Sequence, residues 1–146
     1  MPVTIVIVDD NLEYRMIVRA LIRSLSETMT VVGEAADGEE ALAVVLREQP
    51  DIVITDLVMP GLNGVELTKR LRTELPQTRI ILMSSYTEDA YRLMVSDSGA
   101  DAFVNKQLLT STLLPAIRDV IRRRLSGGSG PLPPSAGTSP ASAASK

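Results

Sequence analysis

Residue types able to do chemistry are few in this chain, and they fall at the ends of apolar runs. Asp9 and Asp10 follow Val3–Val8, and Asp56 follows Ile52-Val53-Ile54-Thr55. Ser84 closes the run Arg79–Met83, and Lys106 comes just after Asp101–Val104. The chain has no cysteine and no histidine. Ser-His and Cys-His nucleophile schemes are therefore excluded, as are thiolate zinc sites, disulfides and a phosphohistidine on this chain. Chemistry is left to carboxylates, hydroxyls, lysines and a bound metal. Three carboxylates gathered at one place are costly unless a cation neutralises them. All-oxygen ligands suit Mg2+, which keeps several waters and reaches toward phosphate oxygens. With a hydroxyl donor from Ser84 and an ammonium from Lys106 beside it, such a site can hold the three equatorial oxygens of a phosphoryl group in transfer. Asp56 is then the nucleophile, attacking in line and carrying the acyl phosphate.

This chemistry requires that Asp9, Asp10, Asp56, Ser84 and Lys106 meet, so the elements between them matter. Short apolar runs bounded by Gly, Pro or polar clusters read as buried strands. They are expected at Val3–Val8, Thr30–Gly33, Ile52–Asp56, Arg79–Met83 and Asp101–Val104. Asn11 can cap a helix whose apolar residues Ile17, Val18, Leu21, Ile22 and Leu25 recur at helical spacing. Asp37 with Glu40, and Asn63 with Glu66, have the spacing of capping boxes. The helices they open are expected to run to about Arg47 and about Leu75, each stopped by a following proline. Thr87-Glu88-Asp89 begins a fourth helix, where the helix dipole favours acids, and Gly99 can close it. Pro115 is expected within the first turn of the fifth helix, which places that helix at about Thr112 to Leu125.

Five strands alternating with five helices predict an α/β fold with a doubly wound parallel sheet. Right-handed crossovers leave few arrangements, and the flavodoxin-like (βα)5 strand order 2-1-3-4-5 leads. That order makes the first and third strands neighbours. It brings Asp9, Asp10 and Asp56 to the carboxyl edge of the sheet, where open α/β sheets bind ligands.

The 146 residues suit one domain, expected over 1–125, and 45% hydrophobic content is enough for a core. Aromatics are only 3%, so that core must be aliphatic. Residues 126–146 are almost entirely Gly, Pro, Ser, Ala and Thr, a composition expected to form a flexible linker or tail. The net charge of −3 and the lack of a sustained basic block give no nucleic-acid surface. No apolar run approaches the ~18 residues of a spanning helix, and the missing cysteines fit a cytoplasmic setting.

At these residues the sequence resembles the receiver domain of bacterial two-component response regulators. The resemblance covers about Val3 to Leu125. It is carried by Ile5-Val6-Ile7-Val8-Asp9-Asp10, Asp56-Leu57-Val58-Met59-Pro60-Gly61-Leu62-Asn63-Gly64, Ser84-Ser85-Tyr86, and Phe103 three residues before Lys106. It implies that Asp56 is a phosphoacceptor, that Asp10 binds Mg2+ directly and Asp9 mostly through water, and that the Val58 carbonyl is a further ligand. It implies that Ser84 and Lys106 bind the phosphoryl group and that Phe103 is a switch aromatic, filling space vacated when Ser84 moves. The donor would be a histidine kinase or a histidine phosphotransfer protein. The output would be a partner or a self-dimer on the face made by the fourth helix, fifth strand and fifth helix. Such a domain is not a conventional enzyme, although it assists its own phosphorylation and dephosphorylation.

One departure stands out. Gln107 follows Lys106 where many receivers carry a cis-proline, so the isomer of that peptide is open. This feature and Tyr86-Thr87-Glu88-Asp89 resemble receivers that carry a helix-turn-helix output domain, for which the residues after Leu125 are too few and too polar. Val58 and Tyr86 flank the site and are expected to hinder water, giving a long-lived phosphoform. Singly, Asp9-Asp10 and Ser84 read as turn residues, Lys106 as a solvated charge, and Phe103 as plain core. Two other functions compete. A receiver-like scaffold indifferent to phosphorylation should have lost one of the acids, the hydroxyl or the lysine, and none is lost. A haloacid-dehalogenase-type phosphatase should have an aspartate two residues after the nucleophile, where this chain has Val58.

Overall fold

Each of the five apolar runs forms a strand: β1 Val3–Val8, β2 Met29–Ala35, β3 Ile52–Asp56, β4 Arg79–Ser84 and β5 Ala102–Asn105. The structure is a computed structural model describing residues 2–25, 28–85 and 97–125. All five strands are parallel and lie in one sheet ordered β2-β1-β3-β4-β5, as the alternation predicts. Every residue of β3 and β4 is buried. A strand covered on both faces has no polar side to show, which is why these segments read as continuous apolar runs.

Successive strand side chains point to opposite faces, and the two faces build two cores. On one face Ile5, Ile7, Ile52, Ile54, Ile81, Met83 and Val104 pack with Val18 and Ile22 of α1 (Leu12–Leu25). Leu113, Ile117 and Val120 of the C-terminal helix (Leu109–Leu125) complete that core. On the other face Val6, Val8, Val53 and Ile80 pack with Val44 and Val45 of α2 (Gly38–Glu48) and with Leu67 and Leu71 of α3 (Gly64–Glu74).

The helix starts are explained by their caps. Asn11 Oδ1 accepts from the Glu13 N–H at 2.8 Å, so α1 begins directly after Asp9-Asp10. Asn63 and Glu66 form the expected capping box. Asp37 accepts from the Glu40 N–H, but the Glu40 carboxylate reaches back to the Ala36 N–H, one residue further than a capping box requires. Gly64 begins α3 hard against the end of β3. A Cβ there would stand 2.3 Å from the Asp56 carbonyl oxygen and 2.9 Å from the Leu57 Cα.

Several boundaries differ from expectation, β4 by only the added Ser84. β2 is longer than Thr30–Gly33, because its pairing with β1 continues to Ala35 across a register shift. β5 begins and ends one residue later than expected. The C-terminal helix does not wait for Pro115: a 3-10 turn, Lys106–Leu108, runs straight into a helix from Leu109 that contains this proline. Leu109, Leu113, Ile117 and Val120 are all buried on one stripe, and that packing outweighs the hydrogen bond that Pro115 removes. No peptide bond among the described residues is cis, so Lys106–Gln107 is trans. The predicted fourth helix and Tyr86 lie outside the described residues, save Asp97 and Ser98, which are helical, and Gly99, whose φ of 89° is the left-handed value expected there. The tail at 126–146 also lies outside them.

Candidate functional site

Register places the functional side chains level with one another. Val8 pairs with Thr55, so Asp9 and Asp56 leave adjacent strands at the same height. Asp56 pairs with Met83, and Ser84 lies one residue beyond. Ser84 pairs with Asn105, and Lys106 again lies one residue beyond. The five residues singled out by sequence thus end four neighbouring strands at one sheet edge.

The carboxylates meet there. One oxygen from each of Asp9, Asp10 and Asp56 lies within 4.8 Å of the others. Asp9 is fully buried, Asp56 is 7% exposed and Asp10 is exposed. Asp9 Oδ1 accepts from the Asn11 N–H at 2.9 Å, and Asp9 Oδ2 lies 2.6 Å from Lys106 Nζ. The same ammonium is 3.2 Å from Asp56 Oδ2. The Asn105 side chain accepts from the Gln107 N–H at 2.8 Å and so caps the 3-10 turn on which Lys106 rides. Lys106 is only 8% exposed, the opposite of a solvated surface charge.

Burial sets the electrostatics. Desolvation raises the Asp56 carboxyl from 3.8 to about 6, helped by the negative charge of Asp9 and opposed by Lys106 and a backbone hydrogen bond from Val58. Burial alone would lower the Lys106 ammonium. Its bond to Asp9 and the charges of Asp56 and Asp9 outweigh that and hold it above 10.5. Asp56 is therefore ionised at pH 7, but at a cost a divalent cation would relieve. Three oxygen-bearing groups, two of them buried, form a donor set that fits Mg2+. Asp10 and Asp56 would hold the ion, with the Val58 carbonyl and Asp9 beside them.

Ser84 is buried at the end of β4. Val58 is 46% exposed two residues after Asp56. Phe103 is half-buried against Leu57, Val65, Leu82 and Ala100, on the sheet face opposite Val104. Three contacts escaped sequence reasoning. The Tyr14 ring lies under the Lys106 ammonium, with Nζ 4.1 Å from the ring centroid. The Asn11 N–H binds Asp9, besides the capping role foreseen for that residue's side chain. Arg15 donates to the Asp9 carbonyl at 2.6 Å and is itself held by Glu34, which also pairs with Arg19. The only signal for Tyr14 was its place on the first turn after Asp9-Asp10, in a chain with three tyrosines.

The sequence model of the response regulator receiver domain matches residues 5–118 of this chain.

The chain belongs to the response regulator receiver family.

This receiver is 31% identical over 118 residues to the response regulator protein VraR of Staphylococcus saprophyticus, covering 81% of this chain and 56% of that protein. Its fold is similar to that of a LuxR-family two-component response regulator from Aurantimonas, with a TM-score of 0.78 at 32% identity, covering 88% of this chain and 89% of the other. It is also similar to the response regulator domain of Thermotoga maritima CheB, with a TM-score of 0.76 at 32% identity, covering 84% and 98% of the two chains. The receiver thus spans little more than half the length of the curated relative it matches. Like other receivers, it is a signalling domain of two-component systems, a class that interacts with histidine kinases and binds Mg2+ at an acidic site. No observation favours the scaffold reading. No helix among the described residues is long and apolar enough to cross a membrane.

Proposed function

We propose that Asp56 is the phosphoacceptor of this receiver and that its phosphorylation switches a protein-binding face. The observation that carries this reading is the meeting of Asp9, Asp10 and Asp56 within 4.8 Å, with the Lys106 ammonium on two of them. Asp56, ionised at neutral pH, attacks the phosphorus of a phosphohistidine on a kinase or phosphotransfer protein. A carboxylate O–P bond forms, the P–N bond breaks, and the imidazole leaves with the electron pair. Lys106 and the Ser84 hydroxyl bind the equatorial oxygens, where negative charge is carried through the transfer. Mg2+, held by Asp10 and Asp56, would supply the positive charge needed for a dianionic phosphoryl group to approach three carboxylates. Asp9 Oδ1 accepts from the Asn11 N–H and Oδ2 is ion-paired with Lys106, whereas Asp10 is exposed, which supports Asp10 as the direct ligand and Asp9 as the more distant one.

The same groups serve hydrolysis of the acyl phosphate, in which water attacks the phosphorus, the Asp56 O–P bond breaks and inorganic phosphate leaves, so the domain assists its own dephosphorylation. Val58, standing open beside Asp56, hinders that water and lengthens the life of the phosphoform. Movement of Ser84 toward the phosphoryl group lets Phe103 turn inward from its half-buried place. That repacks β5 against its neighbours and biases the face offered to a partner or a second copy. We take 1–125 as the receiver and 126–146 as a linker or tail. The absence of cysteine fits a cytoplasmic setting for the reaction. The test is incubation with acetyl phosphate and Mg2+, followed by intact-mass measurement. One phosphoryl group should appear on the wild type and none without Mg2+ or on Asp56→Asn. A mass gain that survives Asp56→Asn would sink the assignment.

A further inference from the structure

We propose that Tyr14 is a positioning residue for phosphoryl transfer, its ring face holding the Lys106 ammonium at the phosphoryl site. The proposal rests on Asp56 as phosphoacceptor. Lys106 Nζ lies 4.1 Å from the Tyr14 ring centroid while standing 2.6 Å from Asp9 and 3.2 Å from Asp56. The ring is placed by the segment that carries the acids. Asn11 Oδ1 accepts from the Glu13 and Tyr14 N–H groups, which starts α1 so that Tyr14 falls on its first turn. Tyr14 packs against the core built on Ile5 and Ile7, so the ring has little freedom to swing away.

Lysine is a point charge on a flexible four-carbon stem, and its ammonium must be held to be useful. Before transfer it lies between Asp9 and Asp56. After transfer, one Asp56 oxygen belongs to the acyl phosphate, and the ammonium must shift toward the phosphoryl oxygens. A third carboxylate in Tyr14's place would retain the cation where it rests. An aliphatic residue would leave its open side unheld. An aromatic face attracts a cation across its whole area, so it can hold Lys106 in both arrangements. The attraction is strongest where water is excluded, and Lys106 is almost fully buried.

Acetyl phosphate serves as donor, so no partner protein enters the test. Phosphorylation rates are measured for the wild type, Tyr14→Phe, Tyr14→Leu, and proteins carrying phenylalanine at position 14 with one, two or five ring fluorines. Tyr14→Phe should stay within about twofold of the wild type, and Tyr14→Leu should fall roughly three- to thirtyfold. The fluorinated series keeps the ring's shape while emptying its face of negative charge, so the rate should fall with each added fluorine. If Tyr14→Leu does not fold, that series alone decides. Proton NMR gives a second readout: the Lys106 ε-protons should lie upfield in the wild type and Tyr14→Phe, and return to ordinary lysine shifts in Tyr14→Leu. A wild type that takes up phosphoryl groups with a flat fluorine series, or with ordinary Lys106 shifts, overturns this proposal alone. A wild type that takes up none overturns the phosphoacceptor reading and this one with it.

Discussion

Asp56 keeps its negative charge against its surroundings. Burial and the neighbouring Asp9 lift its carboxyl to about 6, while in the unfolded chain it titrates near the ordinary 3.8. Between about pH 4 and pH 6 the folded protein retains a proton that the unfolded chain has released. Stability of the metal-free domain therefore falls as pH rises through that window, by at most about 3 kcal/mol from this group. Asp56→Asn keeps the shape and removes the titration. In chelator, urea unfolding of the wild type should lose about 1–3 kcal/mol relative to Asp56→Asn between pH 4 and pH 7. Parallel pH profiles for the two proteins would contradict the raised carboxyl. Asp9, Asp10, Asp56, Ser84 and Lys106 were legible in the sequence because each polar type interrupts or ends an apolar run, and a parallel sheet sends all those run ends to one edge. Tyr14 was not legible, because its contact with Lys106 depends on how α1 lies over the sheet, and a ring near the start of an amphipathic helix reads as core. The Arg15–Asp9 contact was hidden likewise, since Arg15 lies on the helix face that the periodicity assigns to solvent.

At the scale of elements, the site is a set of strand ends, each held by the loop or helix start that succeeds it. The loop after β3 is the tightest case. The Gly64 N–H donates to the Leu57 carbonyl at 2.9 Å, and its bare Cα lets α3 start against the backbone of Asp56. A methyl group there meets backbone atoms, which cannot rotate away as a side chain could. Gly64→Ala should therefore cost about 1–3 kcal/mol in denaturant unfolding and weaken Mg2+ binding, despite the better helix propensity of alanine. An unchanged or increased stability would show that the loop is not pinned in this way. The caps at Asn11 and Asn63 were legible because capping is local chemistry, settled within three or four residues. The start of the C-terminal helix was not, because a local rule about Pro115 competed with burial of Leu109 and Leu113 against strands far away in sequence.

At the scale of the whole molecule, the strand order does the assembling. Placing β1 between β2 and β3 puts acids separated by most of two βα units side by side, and placing β5 beyond β4 adds the lysine. This order was legible because alternating elements and right-handed crossovers leave few choices. What the receiver acts upon was not, because the match covers only 56% of that relative's length and the face around Phe103 carries no motif of its own. The central claim concerns one atom of one side chain. After incubation with acetyl phosphate and Mg2+, borohydride reduces an aspartyl phosphate to homoserine, and peptide mass spectrometry locates it. The account predicts homoserine at position 56 and at no other aspartate. Homoserine at Asp9 or Asp10 with Asp56 untouched, or its absence from a protein that has gained a phosphoryl group, would contradict it.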